Sequence, residues 1–363
     1  MQSILRVARR LVRSPSLPRQ FSNTSYQSID ESHKIEEETW PWYRPEDFYP
    51  VRIGEVFNSR YQIVGKLGYG GYGTVWLCRD LIDRRHLTLK IGTCDALSNE
   101  LNALKYLRTV PTRHDGRFVV RQLVDEFEVA NGEHRYQCLI HEPLSTTVAA
   151  FRRLLPSKAL PLQVCKGVLV HVLLALDFLH TEANIVHTDI QEKNILLGMD
   201  KQTSGQDVCQ AFEQRELEDP SPRKVSSSDG RVTHTSRRLV PPIYNYGQPV
   251  LCDFGEARFG DYDSMVDIQP YQYRAPEIIL DMRWNEMVDV WNVGVMISDL
   301  LGKGNLFKTL DAEGNESNDV HLAHMVALLG PPPADFLART ATGRAWKWFN
   351  EDGECVSVIH CCF

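Results

Sequence analysis

The chain has 363 residues, enough for two lobes that each bury a core of their own. A composition of 43% hydrophobic and 24% charged residues is that of a globular protein and excludes a largely disordered one. The formal net charge of -7 argues against a protein that coats nucleic acid, so no direct nucleic-acid binding is expected, and cationic partners suit it better.

The first thirty residues stand apart: five arginines (Arg6, Arg9, Arg10, Arg13, Arg19), many serines and no acid before Asp30. Ile4, Leu5, Leu11 and Val12 can segregate from Arg9 on a helix, and "RQFS" is similar to a matrix-processing site. Residues 1–30 therefore read as a mitochondrial presequence or as a disordered basic tail. Residues 31–57 form an acidic, aromatic extension.

A run of strand-like pieces follows, "RYQIVGKL", "TVWLCRD", "LTLKIG", "FVVRQLVDEFEVA" and "YQCLIHE". They are rich in Val, Ile, Tyr and Leu, and several are separated by Gly, Asp or Asn turn signals. One helical pattern interrupts them, with Leu97, Leu101, Leu104 and Leu107 on one face. Sheet plus one helix predicts a small lobe over 58–143. From there to residue 354 the pattern is helical, predicting a second lobe. Its most apolar piece, "VCKGVLVHVLLALDFLH", is broken by Lys166, His171 and Asp177, which predicts a buried helix and no membrane span. The polar stretch 198–248 is too poor in apolar residues to build a core and reads as a surface excursion of the second lobe. Nine scattered cysteines without a C-x-x-C pair point to a reducing compartment, with neither zinc nor a disulfide framework. The tail "HCC" offers three soft ligands and no fourth.

Chemistry concentrates in a few motifs. "GYGGYGTV" places Gly68, Gly70, Gly73 and Val75 in a G-x-G-x-x-G-x-V loop between two strands. Glycines there let backbone amides approach phosphate oxygens, and a strand on the far side, where a helix would be needed, excludes the dinucleotide reading. In "LTLKI", Lys90 would direct a cation at the α- and β-phosphates; a lysine in an apolar strand needs an anion, and Glu100 on the leucine-striped helix is the candidate. In "HTDIQEKNILL", Asp189 would accept a substrate hydroxyl proton and Asn194 would hold a metal ion. "VLCDFGEAR" sets Asp253 after an apolar strand, where its carboxylate can take Mg²⁺ bridging ATP phosphates. "YRAPEIIL" and "DVWNVGVM" add Glu277 and Asp289.

Together these resemble the protein-kinase signature set, from about Tyr61 to Phe336. "PWYRPEDFYPVRIGEVFNSRYQIVGKLGYGGYGTVWLCRD", "HTDIQEKNILL" with Thr188 where most kinases have arginine, "ELEDPSPRK", "PVLCDFGEAR" and "HLAHMVALLGPPPADFL" are similar to SR-protein kinases in their fungal form. The resemblance implies an α+β, bilobal fold with a five-stranded antiparallel N-lobe plus one helix and a mainly helical C-lobe. It also implies ATP and Mg²⁺ as cofactors, transfer to serine in basic arginine-serine-rich proteins, and a cytoplasmic and nuclear location. For the nucleotide it implies contacts from Leu67 and the glycine loop, from the Glu142 carbonyl and from the Leu144 amide, with Pro143 at the hinge position that needs no N–H and His141 in the gatekeeper place. Oligomeric state is not implied.

The chain departs from that pattern in four places. Thr188 removes the cation that an activation-loop phosphate neutralises elsewhere, predicting activity independent of such phosphorylation. Gln191 stands in place of a lysine that touches the transferring phosphate, with Lys193 two residues on. After "GRAWKWFNEDGE" the family continues into further helices and an arginine that pairs with Glu277, whereas here 355–363 read "CVSVIHCCF", an aberrant tail. Ala327 and Val320 fill places where a docking groove carries acids, leaving Asp319. The leading expectation is a serine/threonine kinase; the alternative is a pseudokinase serving as an ATP-binding or scaffolding module.

Overall fold

The computed structural model describes residues 15–21, 25–94, 96, 98–199, 205–239, 246–260, 267–340 and 342–356. Leu97 of the leucine stripe and the "HCC" tail lie outside the described residues. The chain forms two compact units.

The first unit is built on a six-stranded antiparallel sheet in the order Val56–Phe57, Tyr61–Gly70, Gly73–Asp80, Arg85–Gly92, His134–His141, Asp125–Asn131. Five of these strands are the expected ones, and a two-residue strand extends the edge. Successive side chains alternate between faces of a strand. Tyr61 and Ile63, Trp76 and Cys78, Leu87, Leu89 and Ile91, and Tyr136, Cys138 and Ile140 thus gather on one face as a core. The intervening Gln62, Arg79 and His86, in register with one another, occupy the opposite face.

Two expectations are corrected in this unit. Residues 16–21 and 25–30 are not a disordered tail in this fold. The Ser16 amide donates to the Leu81 carbonyl at 2.7 Å. The Arg19 amide donates to the Gln62 side chain at 2.8 Å, and Gln62 returns a bond to the Arg19 carbonyl at 2.7 Å. Ser28–Ile29 pairs parallel with Arg223–Val225, which pairs antiparallel with Val232–His234. Residues 1–14 lie outside the described part.

The stretch 198–248 is likewise more than a surface excursion of the second lobe, because its described part, residues 205–239, belongs to the first unit. Its helix Gly205–Glu218 buries Cys209, Phe212, Glu213 and Glu216 on one face. It approaches the sheet where Gly65 lacks a side chain, since a Cβ there would lie 2.8 Å from the Phe212 ring. Paired charges hold what apolar area cannot. Buried Lys66 bonds Glu37 and the His234 carbonyl, and Lys224 meets Glu38 at 2.6 Å. A count of apolar residues misses such anchoring, because the buried positions are themselves charged and mutually neutralised.

The second unit holds helices Ser98–Thr109, Val148–Leu154, Leu162–Asp177, Met287–Leu300 and Asn318–Leu329 with two short antiparallel strand pairs. These strand pairs, distant in sequence, join Ile195–Met199 to Tyr246–Leu251 and Ile185–Val186 to Arg258–Phe259. Thr147 caps the second of these helices, accepting from the Ala150 amide at 3.0 Å, and Ser317 caps the last, accepting from Val320. The segment Leu162–Glu182 is long and apolar enough to cross a bilayer by length and composition alone. Its Cys165, Val168, Val172, Ala175, Leu176 and Leu179 are buried within the unit, whereas Leu162, Val164, Val170 and Leu173 of the same helix are exposed, so the helix expected to be buried covers only one face. Cys355 bridges to Phe349, so the first two residues of the divergent tail close a small hairpin. No described cysteine joins a disulfide.

Candidate active site

In the first unit the glycine loop is the turn between two sheet strands, with Gly70 opposite Gly73. Gly73 has φ +152°, and a Cβ there would sit 2.3 Å from the Ile91 carbonyl oxygen, so only glycine fits. A Cβ at Gly68 or Gly70 would meet nothing within 4 Å. Their bare backbone therefore faces open space, which is what an incoming phosphate requires. Gly68, Val75, Lys90 and Leu139 form one cross-strand row, with Leu67 beside its first member. Lys90 alternates with Leu89 and Ile91, so its ammonium lies on the face opposite the core instead of within it. His141 is buried and stands opposite Thr88, whose hydroxyl donates to the His141 carbonyl at 3.3 Å. The Glu142 carboxylate pairs with Arg85.

In the second unit the catalytic-loop candidates are held from below by one buried carboxylate. Asp289, with no solvent exposure, accepts from the His187 and Thr188 amides at 2.8 Å each and from the His180 ring at 2.9 Å. Thr188 has φ +66°, a conformation costly for a β-branched residue, and the two amide bonds to Asp289 pin it there. The sequence named Asp289 without this role. The Thr188 hydroxyl donates to the Glu256 carbonyl at 2.8 Å. His187 donates through Nε2 to the Cys252 carbonyl at 3.1 Å, leaving Nδ1 to accept from the Asp189 amide at 3.3 Å.

Asp189 meets two amide side chains. Asn194 Nδ2 donates to one carboxylate oxygen at 2.6 Å, and Gln191 Nε2 donates to the other. Burial pushes the Asp189 carboxyl above the usual carboxylate range, against the opposing pull of His187, Lys193 and the Asn194 bond. Lys193 itself is exposed. The loop is braced from outside by Arg152, which grips Glu192 through two bonds of 2.7 Å.

Asp253, at φ +66°, lies two residues after the strand Tyr246–Leu251, Asn194 immediately precedes the partner strand Ile195–Met199, and the Cys252 amide donates to the Asn194 carbonyl at 2.8 Å. Two oxygen-bearing side chains, Asn194 and Asp253, therefore emerge from adjoining backbone, a donor set that fits a hard divalent cation completed by water and phosphate oxygens. Among the described residues no group of three His, Cys, Asp or Glu side chains is arranged for a metal. Glu100 is buried on the Ser98–Thr109 helix. The preceding Asn99, which sequence reasoning passed over, donates to the Gly255 and Ala257 carbonyls and ties that helix to the segment after Asp253. Asp319 is occupied internally, accepting from Lys347 at 3.0 Å and Trp348 at 2.7 Å. The Glu277 carboxyl is buried and raised by burial, with Arg339 pulling the other way. Residues 261–266, beyond the Asp253 segment, lie outside the described part.

The chain matches the protein kinase domain family over residues 61–209 and 243–362, and it belongs to the protein kinase family. A serine/threonine protein kinase of Aspergillus fumigatus is 39% identical over 98% of this chain and 86% of its own length. The Physarum polycephalum serine/threonine-protein kinase SRPK is 29% identical over 86% of this chain and 76% of its own. Protein kinase dsk1 of Schizosaccharomyces pombe is 24% identical over 91% and 77%. The chain thus groups with serine/threonine protein kinases, and the SR-protein kinases are relatives at moderate identity. A crystal structure of a kinase domain superposes with a TM-score of 0.60 at 21% identity, covering 84% of this chain and 81% of that one, a likeness of fold. Members of this family use ATP and a divalent metal, and act on proteins.

Proposed function

We propose that the protein transfers the γ-phosphate of ATP to serine in basic, arginine-serine-rich proteins, with Asp189 as the base that accepts the hydroxyl proton. The observation that carries this reading is the Asp189 carboxylate, buried and bonded on both oxygens by amide side chains, in a loop clamped by Asp289. A carboxylate lifted above its usual range while still stabilised as the anion suits proton acceptance near neutral pH.

Lys90 and Glu100 fix the α- and β-phosphates in this reading, Leu67, the glycine loop and Val75 cover the nucleotide, and the Glu142 carbonyl and Leu144 amide bond the adenine edge. Asn194 and Asp253 would hold Mg²⁺, which when bound neutralises charge on the β- and γ-phosphates. Similarity to SR-protein kinases and the net charge of -7 support a cationic substrate.

A second reading, a nucleotide-binding scaffold, draws support from Gln191, which brings no positive charge to the base it bonds. Incubation with labelled ATP, Mg²⁺ and an arginine-serine peptide, alongside Asp189→Asn, separates the two. Transfer by the native protein and its loss in the variant establishes the kinase. Equal signal from both removes it, and nucleotide binding without transfer by either supports the scaffold.

A further inference from the structure

The helix Leu162–Asp177 buries one face in the second unit and leaves the other uncovered. Lys166, Val170, Leu173 and Asp177 follow one another at i, i+4, i+7 and i+11 along the uncovered face, with Leu162 one turn before them. Leu162 is 63% exposed, Val170 62% and Leu173 49%. Single exposed apolar residues are ordinary, but several on one helical line form a contiguous strip, the mark of an interaction surface.

Between Lys166 and Asp177, opposite charges frame an apolar middle. Lys166 is exposed and makes no ion pair among the described residues. One Asp177 carboxylate oxygen lies 2.9 Å from His114 Nε2, yet the side chain stays 59% exposed. Gly167 borders the strip. A Cβ there would meet nothing within 4 Å, so the packing of this chain does not call for glycine at a helix-interior position, where it disfavours the helix. A bare backbone facing outward lets a second helix come close.

We propose that this strip is the self-complementary interface of a homodimer, in which the Leu162–Asp177 helices of two copies pack antiparallel about a two-fold axis. With the axis level with His171 and Val172, Lys166 of each copy faces Asp177 of the other, and Val170 faces Leu173 of the other. The same patch then serves both subunits, as an isologous contact demands. Parallel pairing would set Lys166 against Lys166 and is disfavoured. The charges fix direction and register, while the apolar middle supplies affinity. A strip about four turns long falls short of the ~1,200 Å² at which standard interfaces begin, so the dimer is weak, with a Kd on the order of 10 µM. A bilayer is another apolar surface that the helix could meet, but it would leave Lys166 and Asp177 without partners, whereas a second copy pairs them.

The test is sedimentation velocity of the full chain from about 1 to about 200 µM, a range that brackets such a Kd, with cosedimentation on neutral and anionic lipid vesicles measured separately. The mass is expected to rise from the monomer's toward twice that value. Lys166→Glu and Asp177→Lys, at exposed positions outside the catalytic machinery, each bring like charges together and are expected to weaken the dimer at least about tenfold. The double variant reverses both signs and is expected to return to within about threefold of the native Kd. Val170→Asp is expected to leave only monomer, and unchanged unfolding midpoints show that the variants are folded. A native chain that stays monomeric throughout, single variants that dimerise like it, or a double variant no better than the single ones overturns the proposal. Dimerisation of Val170→Asp, or capture by vesicles with no dimer in solution, overturns it as well.

Discussion

The Thr188 hydroxyl donates a 2.8 Å hydrogen bond to the Glu256 carbonyl, joining the catalytic loop to the segment that carries Asp253. In kinases with arginine at this position the same tie is made through a phosphate, by a charge that must be neutralised. Here a neutral hydroxyl makes it directly. Phosphatase treatment is therefore expected to leave turnover unchanged. Thr188→Val, which keeps the shape and removes the donor, is expected to lower kcat about fivefold, the equivalent of one net hydrogen bond of ~1 kcal/mol. Steady-state assays before and after dephosphorylation check both.

Gln191 bonds the Asp189 carboxylate from the position where a lysine would supply positive charge. Gln191→Lys is expected to raise kcat at least about tenfold, a fraction of the ~2.7–4 kcal/mol that one oxyanion-type donor contributes. Its KM for ATP should change less than kcat, since the added charge acts on the transferring phosphate. An unchanged kcat in this variant contradicts the electrostatic account.

Asp189 is buried, and its carboxyl is raised above the usual range. On the proposed reading Asp189 is the base and works only when ionised, so activity is expected to fall as pH drops through that raised value. The acid limb of kcat/KM against pH is expected above the pH at which an ordinary aspartate titrates. A limb at the ordinary aspartate position counts against Asp189 as the base.

Glu277 makes a stability prediction. Its folded carboxyl holds a proton more tightly than the ordinary value of 4.5. The folded state therefore binds more protons than the unfolded one between those two values, and the stability this gives is lost as pH rises through the window. Glu277→Gln, neutral at every pH, is expected to show a shallower fall in Tm between acid and neutral pH than the native chain. Thermal unfolding across that range measures it.

Asp289 accepts two buried backbone amides and a histidine N–H. Asp289→Ala strands those donors and is expected to cost at least ~2 kcal/mol, with a lower unfolding midpoint and lost activity.

Much of this was legible in the sequence, because local rules sufficed. Runs rich in Val, Ile, Tyr and Leu between turn signals located the strands around Ile63, Cys78 and Leu89, and an apolar run broken by charged residues located the Leu162–Asp177 helix. Asp189, Asn194 and Asp253 were candidates because their motifs resemble the kinase set. The sequence could not show that Lys90 lies off the core face beside Gly68 and Val75, which depends on register across three strands.

What the sequence determined by itself, then, was most of the strands and helices of the two units and membership of the protein kinase family, because both are written in neighbouring positions. Only the tertiary structure decided where the described part of the polar insert goes, that residues 16–21 and 25–29 bond to the folded unit, and that Glu213 must answer to Arg19, Arg79 and His86 together. Those arrangements join charged groups more than a hundred residues apart, as Lys66 and the His234 carbonyl do. Hydrophobic periodicity reports which side chains leave water for apolar surroundings; a buried charge is stable only beside its partner, and that partner is chosen in space.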